Sequence, residues 1–291
     1  MTTEDVALRF RDLDTWPDGE ILDALLERNL AALAAVRPAL PALERAAAGA
    51  ASRLRRGSGR LVYAGAGTSG RLAVLDAVEL APTFGWPPER LGYLLAGGEG
   101  ALVRPAEAAE DAAGEGERRV RETGLGPGDV LVGVAASGRT PFTIAAVRAA
   151  RSLGALTVGM ANNPRTPLLE AAEVDVLLET GPEVVAGSTR LAAGTAQKVA
   201  LNLFSTLLMV RLGRVYSNLM VGVQATNDKL ARRATRIVAE IAGVDEGRAR
   251  KLLERAGGDA RLAVLLAREP DPETARRRLA AAGGNLREAL K

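Results

Sequence analysis

The sequence contains neither cysteine nor histidine. Disulfides, thiol nucleophiles, imidazole bases and zinc sites built on these two residues are therefore excluded. A general acid or base in this chain must be a carboxylate, a lysine or a tyrosine, and because lysines are few we expect carboxylates. The lack of cysteine also fits a reducing compartment.

Aromatic side chains and excess charge are scarce as well. Only 3% of the residues are aromatic, and 38 Lys and Arg against 35 Asp and Glu leave a net charge of +3. Few rings are available for base stacking and no strongly basic face is indicated, so we expect no nucleic-acid partner. The N-terminus has no signal-peptide pattern, and no apolar run is long enough to span a membrane. We expect a soluble cytoplasmic protein without a membrane partner.

Residues 60–80 are the stretch around which the chain is organised. An apolar run at 61–64 predicts a buried strand, the glycine-rich residues after it predict a loop, and the loop opens into a helical pattern. Small residues let backbone N–H groups converge on a ligand, and a helix N-terminus adds partial positive charge, so the loop suits an anion. The Gly-x-Gly-x-x-Gly spacing also fits a dinucleotide fingerprint, but Arg90 stands where that fingerprint needs an acidic residue.

A second loop of this kind follows the apolar run 130–135. It contains Ser and Thr hydroxyls and ends at Pro141, a residue typical of the first helical turn. Other apolar runs predict strands at 91–96, 155–160 and 174–178. Because strands alternate with helices, we expect the α/β class, with a parallel sheet, helices on both faces and ligands beyond the carboxyl ends of the strands. Two such loops side by side indicate a small phosphorylated ligand such as a sugar phosphate.

Helical patterns account for most of the remaining chain. Leucines at helical spacing predict two helices over 18–56 that cover one face of the sheet, and a charged helix is expected over 105–122. Residues 1–18 show no clear periodicity, and we expect them to form an arm that packs on a surface that the sequence does not identify. Polar residues from Glu183 to Lys198 precede a long apolar helix at 199–212, and they either face the site or cap that helix. Near the C-terminus, glycine pairs separate short helices that form a bundle of their own.

Several segments together resemble the N-acetylmuramic acid 6-phosphate etherase family over about residues 45–291. The segments that carry the resemblance are GAGTSGRLAVLDAVELAPTFG, AGGEGA, AAEDA, AASGRTP, GSTRLAAGTAQK and NLMVGVQATNDKL. It implies a sugar isomerase (SIS) type doubly wound parallel sheet, a homodimer, and a small C-terminal three-helix segment similar to ubiquitin-associated (UBA) domains. The expected organisation is an N-terminal arm and helix at 1–44, the SIS domain at 45–225 and the helical segment at 226–291.

The resemblance also implies an activity. The family cleaves the D-lactyl ether of N-acetylmuramate 6-phosphate to N-acetylglucosamine 6-phosphate and D-lactate, a lyase reaction of cell-wall recycling that needs no metal or nucleotide. By the family's pattern, Glu79 and Glu110 are the catalytic acid/base pair. The residues expected to bind the substrate are Gly67, Thr68, Ser69, Glu107, Ser137, Gly138, Thr140, Ser188 and Arg190.

Two other functions stay open at this stage. Glucokinase regulatory protein is similar in the same loops and binds fructose phosphates without turning them over. An SIS-type aldose–ketose isomerase would share both the sheet and the need for a carboxylate base. Residues 1–20 also depart from the family's usual Thr-Glu-x-x-Asn-Pro-x-Ser opening, which leaves room for a branch with a different sugar substituent.

The two glutamates have different surroundings in the sequence. Glu79 is three residues after Asp76 in a predicted helix, a spacing that usually marks a solvated face. Apolar residues on both sides of Glu79 nevertheless predict an apolar neighbourhood, which favours a base that works near neutral pH. Glu110 lies among other acidic residues, so the sequence alone predicts a surface position. Only the family resemblance gives Glu110 a catalytic role.

Overall fold

The computed structural model describes residues 1–55, 57–106, 108–223 and 228–291. The contacts divide the chain into two compact units. The first comprises Met1–Ala77 and Leu91–Ser205, and the second comprises Val78–Arg90 and Thr206–Lys291. The expected boundary at 225 falls outside the described residues, and the division into 1–44, 45–225 and 226–291 stays a prediction. Within the described ranges, no helix combines the length and the apolar character needed to cross a membrane.

A five-stranded parallel sheet forms the centre of the first unit. Its strands, in chain order, are β1 (Leu61–Gly65), β2 (Leu91–Leu95), β3 (Val130–Val134), β4 (Leu156–Ala161) and β5 (Val174–Leu177). They lie in the order β2-β1-β3-β4-β5. The central strands β1, β3 and β4 are buried along their whole length, which explains why they are continuous apolar runs rather than alternating ones. The predicted α/β class and all five predicted strands are confirmed.

Helices cover both faces of this sheet. Those of the first unit, some of which continue into the second, are α1 (Asp18–Val36), α2 (Leu40–Leu54), α3 (Gly67–Val78), α5 (Ala113–Thr123), α6 (Pro141–Ser152), α7 (Pro167–Ala171) and α8 (Ala192–Arg211). α2 packs on β3, β4 and β5, and its Leu43, Ala46 and Leu54 are buried. On the other face, Val120 of α5 and Phe142 of α6 join one hydrophobic cluster with Leu131 of β3.

The first helix departs from the sequence expectation. Only α2 covers the sheet as predicted, because the leucine stripe of α1 points outward. Leu22, Leu26 and Leu30 are 66%, 60% and 58% exposed, and Leu33 is 43% exposed. Helical spacing showed that these leucines share a face but could not show which surface that face meets. In the single chain this apolar stripe has no partner among the described residues.

The helix expected over 105–122 is also shorter than predicted. α5 begins only at Ala113, and the residues before it form 3₁₀ turns at Glu99–Leu102 and Ala109–Asp111. The reason is a close contact at the end of β2: a Cβ at Gly97 would lie 2.4 Å from the Cβ of Ala106. The chain therefore folds tightly back over Gly97, and this packing overrides the helix propensity of an alanine- and glutamate-rich segment.

The second unit is helical and has its own core. Its helices are α4 (Leu80–Phe84), α9 (Asp228–Ala242), α10 (Glu246–Arg255), α11 (Ala260–Leu266), α12 (Pro272–Ala281) and α13 (Leu286–Ala289). Side chains of Asp245, Asp259, Asp271 and Asn285 accept backbone N–H groups at the starts of the last four. Buried residues from Val221 to Ala289 form one hydrophobic cluster. The predicted C-terminal helical bundle is confirmed, with more helices than the three expected.

Candidate active site

The strand order fixes where a ligand is expected to bind. From β1 the chain passes to β2 on one side and then returns to β3 on the other, so the order reverses between β1 and β3. In open α/β sheets, ligands bind beyond the carboxyl ends of the strands at such a switch point. Gly65 ends β1 directly beside Val134, which ends β3. The two loops that the sequence predicts to bind an anion therefore start side by side at this point.

The first loop requires glycine for close backbone packing. A Cβ at Gly65 would lie 2.8 Å from the Cα of Gly70, and a Cβ at Gly70 would lie 2.5 Å from a methyl group of Leu95. Gly67 between them has a φ of +53°, which larger residues adopt only with strain. The loop can consequently turn from β1 into α3 within a few residues. Of its two hydroxyl residues, Thr68 is half-buried and Ser69 is buried.

A cavity of about 230 Å³ opens beside this loop. Gly67, Thr68 and Arg71 line one side, and Glu110 lies on the wall that folds back after β2. The guanidinium of Arg71 donates through Nε to the carbonyl of Ala101, 2.9 Å away, which holds it against that wall. The structure thus brings two predicted binding residues, Gly67 and Thr68, and the predicted catalytic residue Glu110 to one cavity. Arg71 was not among the predicted site residues, although its position directly after the glycine-rich loop was the available signal.

The second loop leaves a helix N-terminus open. Thr140 precedes α6 but its side chain makes no capping hydrogen bond. The first N–H groups of α6 have no acceptor within the helix, so they can bind an anion. Gly138 has a φ of +66° and lies so close to Thr166 that a Cβ there would be 2.3 Å from the Thr166 hydroxyl. That hydroxyl is buried and has no hydrogen-bond partner among the residues that the structure describes. The Ser137 hydroxyl accepts from the N–H of Arg139 at 3.1 Å.

The third loop is different, because a side chain fills its helix N-terminus. The carboxylate of Glu183 is almost completely buried and accepts the N–H groups of Ala192 and Ala193 at 2.9 and 2.8 Å. The alternative of a capped helix is therefore correct for Glu183. The start of α8 still adjoins the first loop, since a Cβ at Gly194 would lie 3.6 Å from a methyl carbon of Thr68. Ser188 is half-buried and Arg190 is exposed in the preceding turn.

Below the first loop lies a buried polar cluster centred on Asp76 of α3. Its carboxylate accepts from the Tyr63 hydroxyl at 2.9 Å, the Asn202 amide at 2.7 Å and the Ser205 hydroxyl at 3.1 Å. Burial raises the pKa of Asp76, and the three hydrogen bonds only partly offset this. Burial and the neighbouring carboxylate also raise the pKa of Tyr63. The cluster ties α3 to β1 and α8, and so supports the helix that carries the first loop.

The two remaining predicted site residues are Glu79 and Glu107. Glu79 stands between α3 and α4, at the start of the second unit, and its side chain is exposed. The apolar neighbourhood expected for it is therefore wrong, because the helix ends at Val78 before the flanking apolar residues can enclose it. Glu107 lies outside the described residues. In the described ranges, no group of three or more His, Cys, Asp or Glu residues is arranged to hold a metal ion.

Comparison with known proteins identifies the class. The sequence profile of the N-terminal SIS domain of glucokinase regulatory protein matches residues 45–151, and the SIS domain profile matches 119–207. A phosphoheptose isomerase from Francisella tularensis shares the fold at 20% sequence identity, with a TM-score of 0.51 over 67% of this chain and 98% of that one. Together with the loops at the switch point, these matches define an SIS-domain protein.

Full-length relatives narrow the class to one family. A protein named N-acetylmuramic acid 6-phosphate etherase from Deinococcus radiodurans is 52% identical over 99% of this chain and 94% of its own length. One of the same name from Geobacillus thermodenitrificans is 45% identical over 100% of this chain and 99% of its own. The chain belongs to the N-acetylmuramic acid 6-phosphate etherase family, which confirms the resemblance carried by the loop motifs.

Proposed function

We propose that the protein cleaves the D-lactyl ether of N-acetylmuramate 6-phosphate, giving N-acetylglucosamine 6-phosphate and D-lactate. The relatives of that name span nearly the whole chain. The observation that carries the proposal is the cavity in which Thr68 of the first loop, Arg71 and Glu110 meet. It combines donors for an anionic sugar with a carboxylate for proton transfer, and the reaction needs both.

The phosphate is the anchor in this proposal. The open N-terminus of α6 supplies backbone donors, and the hydroxyls of Thr140 and Ser137 stand beside it. Thr68 and Ser69 of the first loop contribute from the neighbouring strand end, with Gly67 and Gly138 allowing the backbone to approach. Ser188, Arg190 and Glu107 complete the proposed set around the sugar. No step requires a metal or a nucleotide.

The proposed chemistry is an elimination followed by addition of water. In the open-chain aldehyde the proton at C2 lies beside a carbonyl, so a carboxylate can remove it while the C3–O bond to lactate breaks. A second carboxyl group protonates the departing lactate oxygen. Water then adds at C3 and a proton returns to C2, which balances the reaction. We assign Glu79 to the C2 proton and Glu110 to the lactate oxygen and the water.

One assay tests this function against its alternatives. The protein is incubated with N-acetylmuramate 6-phosphate, and D-lactate is measured; we expect release of one lactate for each sugar. The match of residues 45–151 to the regulatory protein's SIS domain favours binding without turnover as the second candidate. Binding without lactate release would support that candidate, and turnover only of hexose or pentose phosphates would support an isomerase.

Three further properties belong to the proposal. The exposed leucine stripe of α1 supports a homodimer, since contiguous exposed apolar surface often marks an interface. Light scattering at micromolar concentration tests it, and a monomer would remove it. A cytoplasmic location and a role in cell-wall sugar recycling follow from the proposed substrate, and neither nucleic acid nor a membrane is required as a partner.

A further inference from the structure

The tip of the N-terminal arm is buried although the arm around it is exposed. Thr3 is 0% exposed, whereas Met1 and Val6 are 83% and 72% exposed. The backbone N–H of Thr3 donates to Oδ1 of Asn163 at 2.9 Å, and its hydroxyl accepts from Nδ2 of Asn163 at 2.9 Å. One amide group thus pairs with both the backbone N–H and the hydroxyl of Thr3. That hydroxyl also donates to Oε1 of the neighbouring Glu4 at 3.0 Å. Because a backbone N–H can only donate, the pairing also fixes the orientation of the Asn163 amide.

Asn163 belongs to the segment that supports the second loop. Three consecutive loop carbonyls accept hydrogen bonds from this segment. Ala136 accepts from the N–H of Asn162 at 3.0 Å, and Gly138 accepts from the N–H of Leu168 at 3.1 Å. Between them, the carbonyl of Ser137 is 3.5 Å from Nδ2 of Asn163. The amide nitrogen that binds the Thr3 hydroxyl therefore also faces the centre of the loop.

We propose that Thr3 and Asn163 are positioning residues for the phosphate-binding loop at residues 135–140, and that the N-terminal arm is part of the substrate site. This inference rests on the proposed phosphate site. Thr3 holds the Asn163 amide in the orientation that directs Nδ2 to the Ser137 carbonyl. Without the hydroxyl of Thr3, Nδ2 of Asn163 loses its acceptor in the arm, and the amide is held there by the backbone N–H of Thr3 alone. The loop then loses part of the support that sets the direction of its donors. The effect should fall on phosphate affinity rather than on proton transfer.

The test compares one substitution at two threonines of the arm. Thr3→Val keeps the shape of the side chain and removes its hydroxyl. Thr15→Val is the matched control, because the Thr15 hydroxyl donates to the carbonyl of Asp12 within the arm, at 2.8 Å. We expect Thr3→Val to weaken inorganic phosphate binding and raise KM for N-acetylmuramate 6-phosphate, each about tenfold, with kcat changed by less than about twofold. Thr3→Ser should restore both values, and Thr15→Val should leave them unchanged.

Calorimetric titration with inorganic phosphate separates this inference from the proposed function. If no lactate is released by the parent protein but Thr3→Val still weakens phosphate binding, the arm keeps its role and the etherase activity fails. A lower melting temperature of Thr3→Val with unchanged phosphate affinity and KM would mean that Thr3 is only structural, and would overturn the inference. Should Thr3→Val not fold, Thr3→Ala is measured against Thr15→Ala with the same criteria.

Discussion

Two helices that follow polar loops at the same edge of the sheet begin in opposite ways. At α6, Thr140 offers no side-chain cap, and the first N–H groups remain available. At α8, Glu183 fills the equivalent position with a buried carboxylate that accepts two N–H groups. Both loops look alike in sequence, being rich in glycine, serine and threonine. The difference teaches that a helix N-terminus binds an external anion only where the chain has not supplied its own.

The largest expected effect on stability comes from removing the carboxylate of Glu183 that caps the start of α8. Glu183→Gln removes the charge and directs an amide NH₂ towards a backbone N–H, so one donor at the start of α8 loses its acceptor. We expect a loss of about 3 kcal/mol in the free energy of unfolding, measured by urea denaturation. Glu170→Gln, at an exposed glutamate, is the control.

A second substitution at Glu183 should turn the capped N-terminus of α8 into an open one like that of α6. Glu183→Ala leaves the N–H groups of α8 without a carboxylate, so added phosphate should raise its melting temperature more than that of the parent protein. An identical phosphate response in both proteins would show that the N-terminus of α8 cannot act as an anion site even when open.

The next effect concerns the close approach at the second loop. Gly138→Ala would bring a Cβ to 2.3 Å from the Thr166 hydroxyl at a φ of +66°. Gly124→Ala, at a φ of +61° with open space around it, carries only the backbone strain. We expect Gly138→Ala to be destabilised by about 2 kcal/mol more than Gly124→Ala, because overpacking is added to strain. Equal losses in urea denaturation would mean that the loop can move away from Thr166.

A smaller effect is expected on substrate binding. Thr140→Val removes a hydroxyl at the open helix start, and we expect KM for N-acetylmuramate 6-phosphate to rise about tenfold through one lost hydrogen bond to a charged group. Ser69→Ala should act in the same direction. Ser188→Ala, in the loop before the closed helix start, should raise KM less than Thr140→Val does, because Ser188 is proposed to contact the sugar rather than the phosphate. A larger effect on KM at Ser188 than at Thr140 would mean that the loop before α8, and not the loop before α6, binds the phosphate.

The smallest expected effect concerns the buried carboxylate of Asp76. Asp76 has three side-chain donors, but burial still raises the pKa of its carboxyl above the usual range of an aspartate, so its ionised form is disfavoured in the fold. Its contribution to stability is present below the unfolded pKa and is lost as the pH rises through the folded pKa. We therefore expect Asp76→Asn to gain stability relative to the parent between about pH 4 and about pH 8. Urea denaturation at both pH values measures this, and a pH-independent difference would contradict it.

The sequence predicted the elements whose signal is contained in one short segment of the chain. All five strands follow from short apolar runs, and the two predicted anion loops follow from the small and hydroxyl residues after two of these runs. Strand order then brings the two loops together. The prediction of a helix over 105–122 was wrong at its start, because the contact between Gly97 and Ala106 outweighs the helix propensity of the residues before Ala113. The leucines of α1 did so as well, since periodicity identifies a face without identifying what covers it.

The candidate site was predictable only where one segment supplies the function. Thr68, Ser137 and Thr140 are candidates from their own loops, and their binding role stays a prediction. The pairing of Thr3 with Asn163 joins residues 160 positions apart and has no local signal. The capping role of Glu183 likewise depends on a loop folding back over nine residues to Ala192. Glu79 was expected in apolar surroundings but is exposed, because neighbours in sequence do not enclose a residue where a helix ends.

The most direct test follows backbone amide signals by NMR while inorganic phosphate is added to the protein. The account predicts that the amides of Thr140, Phe142 and Thr143 at the start of α6 shift in a saturable way. Those of Ala192 and Ala193 at the start of α8 should stay unchanged, because Glu183 already occupies them. Saturable shifts at Ala192 and Ala193 without shifts at α6 would contradict the account.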